Sequence, residues 1–213
     1  HTAIRRQRQM CIRDRVGETV IGGDLRRIPG GKGANQAVAA SRLGRHVAMI
    51  GRLGDDEGGT MLRSALDGDG VDTRHLLTTA DVPNGVALIS VAADGDNAIV
   101  VSPGANGRVA PADIEAAGAI LDTAAVTLLQ LEVPLDAVAA AAARAGGTVI
   151  LNPAPAPPEP LPMSLLADVD VLVPNQTELA TIAGHDGPVD RATAAELAAR
   201  LPSSSVILSL IHI

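Results

Sequence analysis

Val126-Thr127-Leu128-Leu129 and Val169-Asp170-Val171-Leu172-Val173 are short apolar runs, and Thr148-Val149-Ile150-Leu151 is a third between them. Helical stretches separate the three, an alanine-rich one over 135–145 and a shorter one near 162–167. Strands that remain apolar on both faces and alternate with helices indicate a parallel sheet covered on both sides. The alternation extends outward. A helix over 111–121 precedes strand 126–131, and helices over 176–183 and 192–200 lead into a strand starting at Ser205. The fold class is therefore α/β with a mostly parallel sheet. In such a sheet ligands bind at the carboxyl ends of the strands. Here those ends carry Gln130-Leu131-Glu132, Asn152-Pro153-Ala154-Pro155 and Pro174-Asn175-Gln176-Thr177-Glu178.

Upstream the pattern is more mixed. Val16 to Ile28 reads as extended, with a turn at Gly22-Gly23-Asp24. Gly33 to Leu43 is helical, and Gly44 supplies a left-handed stop. A strand is expected over His46 to Gly51, followed by a helix from Asp55-Asp56-Glu57 towards Asp67, its acids at the positive end of the dipole. Val86 to Val91 and Ala98 to Ser102 flank Asp94-Gly95-Asp96-Asn97, a hairpin signal.

The 213 residues are 46% hydrophobic and 19% charged, contain no aromatic residue, and carry a net charge of −7. This composition allows a sizeable core and excludes a disordered chain. No apolar run is long enough for a membrane span. The acidic balance and the missing aromatic platforms argue against nucleic acid as a partner. The single cysteine, Cys11, forms no internal disulfide and suits a reducing cytoplasm. Residues 1–15 hold five arginines against Asp14, so the acidic excess lies entirely in the remainder. That stretch and the ending Leu208-Ser209-Leu210-Ile211-His212-Ile213 resemble translated sequencing-adapter DNA. Residues 1–15 and 209–213 are accordingly expected to be foreign tails, the first without sheet pairing, around a domain over 16–208.

Gly30-Gly31-Lys32-Gly33-Ala34-Asn35-Gln36 is the most informative motif. It lacks the spacing of a Walker A loop, and Gln36 stands where a dinucleotide fingerprint has its third glycine. What remains is a glycine turn feeding a helix start, whose N–H groups suit an anion or sugar hydroxyls. Lys32, the only lysine in the chain, adds a point charge; a plain turn with an exposed lysine gives the same pattern. Glu132 is either an acceptor for sugar hydroxyls or a solvated loop acid. Asn175 and Glu178 have the spacing of an N-cap and its capping-box partner. Asn152-Pro153 reads as a rigid turn, and Asp55-Asp56 as a helix-start pair. The histidines show no metal-ligand spacing.

Gly30 to Ala40 closely resembles the first signature of the ribokinase-like (PfkB-type) carbohydrate kinases, and the resemblance runs from about Val16 to Leu208. Further matches are Pro83-Asn84-Gly85-Val86-Ala87-Leu88-Ile89, Gly104-Ala105-Asn106, Leu128-Leu129-Gln130-Leu131-Glu132, Asn152-Pro153-Ala154-Pro155-Ala156 and Pro174 to Glu178. The resemblance implies a Rossmann-like αβα sandwich with a small β lid, its strands over 16–28 and 83–102, through which the protein forms a homodimer. It implies phosphoryl transfer from ATP to the 5-hydroxyl of D-ribose, assisted by Mg²⁺ and K⁺. Carried over by residue, Gly31, Lys32, Gly33, Ala34, Asn35 and Glu132 bind the sugar. Asn175 reaches the nucleotide phosphates and Glu178 helps hold Mg²⁺ through water. Gln176 departs from the family's usual glutamate. The family's opening Asn-x-Asp pair and its late Gly-Ala-Gly-Asp segment, which carries the catalytic base, do not occur in the 213 residues. The chain is therefore expected to be a kinase cut at both ends and inactive by itself. The alternatives are another PfkB-type sugar or nucleoside kinase, or a non-catalytic sugar-binding remnant.

Overall fold

A computed structural model describes residues 2–6, 24–91 and 97–209, and divides the chain into two compact units, 1–108 and 109–213. In the first, the elements are β1 (Thr2–Arg6), β2 (Leu25–Pro29), α1 (Lys32–Arg42), β3 (Gly51–Gly54), α2 (Glu57–Gly68), β4 (Leu76–Thr79), β5 (Val86–Val91), β6 (Asn97–Ser102) and a 3-10 turn over Gly104–Arg108. β1 lies between β2 and β5, antiparallel to the former and parallel to the latter, and β6 completes the sheet antiparallel to β5. β3 and β4 form a separate parallel pair.

Ala34 and Ala37 of α1 pack with Leu53, Leu62, Leu66, Val71 and Leu76 into the core of this unit. Two small side chains three residues apart let the helix approach closely. Asp56 caps α2 as the sequence suggests, its Oδ1 accepting from Gly59 N–H at 2.9 Å and its Oδ2 from Asn84 N–H at 3.0 Å. Asn84, only 2% exposed, accepts in turn from Gly54 N–H through Oδ1. A Cβ on Gly54 would lie 2.2 Å from Asn84 N, so the end of β3 and the lead-in to β5 meet where only glycine fits. One buried asparagine thus anchors the base of the β5–β6 hairpin.

The second unit contains α3 (Pro111–Ala116), α4 (Gly118–Thr123), β7 (Val126–Gln130), α5 (Leu135–Arg144), β8 (Thr148–Asn152), α6 (Met163–Ala167), β9 (Val171–Leu172), α7 (Gln176–Ile182), α8 (Arg191–Ala198) and β10 (Ser205–Val206). Its sheet has the order β10-β9-β8-β7, every pair parallel. Val149 and Leu151 alternate with less buried neighbours along β8 and meet Val138 and Ala142 of α5, Leu165 and Leu166 of α6, and Leu172 of β9. Leu179 of α7 joins Ala194 and Leu197 of α8 in a second cluster. The mostly parallel α/β class is thus the observed one.

Three expectations need correction. Thr2–Arg6 pairs with two strands, although residues 1–15 were expected to pair with none. β2 and β5 each present an edge of backbone donors and acceptors, and an extended segment satisfies them whatever its side chains. The strand expected over 46–51 forms at Gly51–Gly54, because the regular ladder starts only where β4 runs beside it; upstream, a single bridge joins Ala48 to Asp72. The helix over 111–121 breaks at Ala117 into α3 and α4. There the Arg144 guanidinium lies against Gly118, bound to Asp122 and Glu115, where a Cβ would come within 2.5 Å of it. β4 and the 3-10 turn have too little periodicity to be read from sequence. The turn at 22–23 and the hairpin tip at 94–96 lie outside the described residues.

Candidate functional site

The glycine motif of the first unit forms the start of α1. Gly31 is its N-cap at φ 106°, a conformation that favours glycine, and its carbonyl accepts from Asn35 N–H at 2.9 Å. Lys32 is the first helical residue and not a loop residue, so the helix starts one position earlier than expected. Lys32 and Gly33 are half-buried and Asn35 is exposed. Ala34 is 4% exposed and its methyl packs in the core, so any ligand contact it makes runs through its backbone.

In the second unit the three polar segments fall at one edge of the sheet. β7, β8 and β9 are adjacent and parallel, and Glu132, Asn152 and Asn175 follow or close their carboxyl ends. This is the edge at which open α/β sheets bind ligands. Glu132 is half-buried, directly after Leu131, whose N–H donates to the Ala154 carbonyl at 3.1 Å. Asn175 is the N-cap of α7: its Oδ1 accepts from Glu178 N–H, while Glu178 Oε2 accepts from Asn175 N–H, both at 2.8 Å. The box engages one oxygen of each side chain, which leaves the Asn175 amide nitrogen and the second Glu178 oxygen outside it. Glu178 is 5% exposed. Among the described residues no group of three or more His, Cys, Asp or Glu could hold a metal ion.

Two features were not legible beforehand. Asn152 uses its Nδ2 to donate to the Val173 carbonyl at 2.9 Å, a tie hidden behind an apparent Asn-Pro turn. Gln176 donates from Nε2 to the Val189 carbonyl at 2.8 Å, joining α7 to the approach of α8. A glutamate carboxylate has no proton to give there, so the departure from the family's usual residue has a structural use. Asp55 and Asp56 serve the backbone, Asp55 Oδ2 accepting from Asp81 N–H. Burial pushes the Asp56 carboxyl up, but the N–H groups of Gly59, Asn84, Asp56 and Gly58 together outweigh it and hold the carboxyl below its ordinary value. An apolar cavity of about 410 Å³ lies between Leu131, Val133 and the proline-rich segment 155–162; Glu132, Asn175 and Glu178 do not line it.

A parallel α/β sheet with polar residues gathered at its carboxyl edge defines a class of small-molecule binders, many of them nucleotide-dependent. The profile described as pfkB family carbohydrate kinase matches residues 4–210, and the chain belongs to that family. It is 40% identical over 171 residues to a ribokinase of Haemophilus influenzae, covering 79% of this chain and 55% of the relative. It is 39% identical over 164 residues to a deoxyribokinase of Salmonella typhi, covering 76% and 53%. A solved structure of Arabidopsis thaliana ribokinase complexed with ribose and ATP superposes with a TM-score of 0.75 at 30% identity, covering 96% of this chain and 65% of that one. The chain spans about half the length of the curated relatives it matches.

Proposed function

We propose that the whole protein is an ATP-dependent sugar kinase that converts D-ribose to D-ribose 5-phosphate. The observation that carries this reading is the alignment of Glu132, Asn152 and the Asn175–Glu178 box along one carboxyl edge of a parallel sheet. The likeness to a ribokinase at 40% identity supports ribose as the acceptor.

Glu132 accepts a hydrogen bond from a sugar hydroxyl; Gly31, Lys32, Gly33, Ala34 and Asn35 are sugar-binding through N–H groups, the Lys32 ammonium and the Asn35 amide. Asn175 donates from its amide nitrogen to the nucleotide phosphates, the half of its side chain that the capping box leaves outside. Glu178 orients water on Mg²⁺, and the ion neutralises phosphate charge when bound. Phosphoryl transfer depends chiefly on such positioning and charge neutralisation. No residue is assigned to K⁺. The 213 residues contain no Gly-Ala-Gly-Asp segment and are expected to be inactive by themselves.

The β2-β1-β5-β6 sheet is read as a lid over the sugar and as a homodimer contact. Leu88, Ile99, Val100 and Val101, each at least half exposed on it, support the contact. A place in the cytoplasm is proposed from the single cysteine, Cys11, which suits a reducing compartment; among the described residues no helix is long and apolar enough to cross a membrane. Deoxyribose is the second acceptor to consider, since a deoxyribokinase stands at nearly the same identity. A non-catalytic sugar-binding remnant is favoured only by the missing Gly-Ala-Gly-Asp segment.

An ADP-release assay of the whole protein against ribose, deoxyribose, nucleosides and ketohexoses tests the reading. Preference for ribose is expected. Preference for a nucleoside, or ADP release independent of sugar, overturns it.

A further inference from the structure

We propose that Asn152 is a positioning residue that sets the sugar side of the site, at Glu132, in register with the nucleotide side, at Asn175. The proposal rests on the kinase reading for the roles of those two residues. The coupling itself rests on hydrogen bonds within one unit.

Asn152 closes β8, between the ends of β7 and β9. On the β9 side, the ladder runs as far as Val173 N–H donating to the Leu151 carbonyl at 2.8 Å. The next residue, Pro174, has no N–H and cannot continue it. The Asn152 side chain takes over at that point: its Nδ2 donates to the Val173 carbonyl at 2.9 Å, two residues before Asn175.

On the β7 side the same residue acts through its main chain. Its carbonyl accepts from Ala154 N–H at 2.8 Å, closing a three-residue turn about Pro153. That turn aims the Ala154 carbonyl at Leu131 N–H, 3.1 Å away and one residue before Glu132. A single asparagine therefore grips both neighbouring strand ends just before the residues that bear the chemistry. Aspartate would keep the size and the main-chain turn but has no proton for the Val173 carbonyl. Reacting groups misplaced by about 1 Å can lose on the order of 10²-fold in rate, so a tie of this kind bears directly on turnover.

The test uses the ¹⁵N-labelled 213-residue chain with Asn152→Ala and Asn152→Asp, followed by amide resonances and by titration with ribose and with ATP plus Mg²⁺. In both variants the amide signals of Glu132 and Asn175 should move together while that of Thr193, capped by Asp190, stays in place. Loss of one hydrogen bond should raise each Kd about fivefold to tenfold. A lowered Tm with both Kd values and both amide signals unchanged would assign Asn152 to stability alone. A change confined to Asn175 would break the proposed coupling. If the wild-type chain binds neither ligand, the paired amide shifts still decide the coupling, and the kinase reading rests on the ADP-release assay of the whole protein. Should Asn152→Ala not fold, Asn152→Asp retains the turn and carries the test.

Discussion

Asn175→Ala and Asn175→Asp separate the helix cap that Asn175 forms from the nucleotide contact proposed for it. Its Oδ1 accepts from Glu178 N–H at 2.8 Å, the bond that caps α7. Alanine removes that acceptor, and loss of an N-cap costs about 1 kcal/mol within a range of about 0.5–2. The helix should survive, because Leu179 and Ile182 hold it in the core. For a chain of this length about 1 kcal/mol lowers Tm by about 2–4 °C. Aspartate caps as well as asparagine, and its charge suits a helix start by about 0.3–1 kcal/mol. The neighbouring Glu178 carboxylate opposes that gain, so Tm should stay within about 2 °C of wild type. The nucleotide responds in the opposite order. Aspartate replaces the amide donor with an anion facing the polyphosphate, and two like charges about 5 Å apart at an effective dielectric of about 20 repel by about 3 kcal/mol. ATP binding should therefore weaken by about 100-fold in Asn175→Asp and by about tenfold or less in Asn175→Ala. Thermal melts and calorimetric titration with ATP plus Mg²⁺ read both effects. Wild-type ATP affinity in Asn175→Asp would remove the nucleotide from this end of the sheet. An unchanged Tm in Asn175→Ala would show that the capping box contributes nothing.

Other substitutions test other parts of the account. Thr127 on β7 is 8% exposed and its hydroxyl has no hydrogen-bond partner, so Thr127→Val should stabilise the fold by about 1 kcal/mol in urea unfolding; a loss of that size would mean the hydroxyl is satisfied. In the whole protein, Lys32→Ala should weaken ribose turnover without unfolding the chain, and Glu132→Ala should mainly raise the KM for ribose; wild-type kcat/KM in both would displace the sugar site. The Asp56 carboxyl is held below its ordinary value, so its ionised form stabilises the fold at neutral pH, and that contribution is lost as pH falls through the lowered value. The stability difference between wild type and Asp56→Asn should accordingly be full near pH 6 and shrink below about pH 4, whereas a pH-independent difference would contradict the assigned hydrogen bonds.

What the sequence disclosed followed from how local each signal was. The capping box was legible because Asn175 and Glu178 stand three apart at a helix start, and both bonds lie within one turn. The parallel sheet was legible because Val149, Leu151 and Leu172 must be apolar to be covered. The ties between segments were not legible. Asn152 reaches a carbonyl 21 residues away and Asn84 an amide 30 residues away, and neither distance leaves a periodic trace. The packing of Arg144 against Gly118, beside the break at Ala117, was hidden for the same reason. Thr2–Arg6 shows the converse: it pairs with β2 and β5 although its sequence carries no pattern that announces a strand.

The central claim, that the whole protein phosphorylates ribose, is tested most directly by ³¹P and ¹³C NMR of ribose incubated with ATP, Mg²⁺ and the whole protein. One new phosphomonoester, coupled to C5 of ribose and formed in step with ADP, is the predicted result. ADP without a sugar phosphate, or phosphate on another carbon, would contradict it.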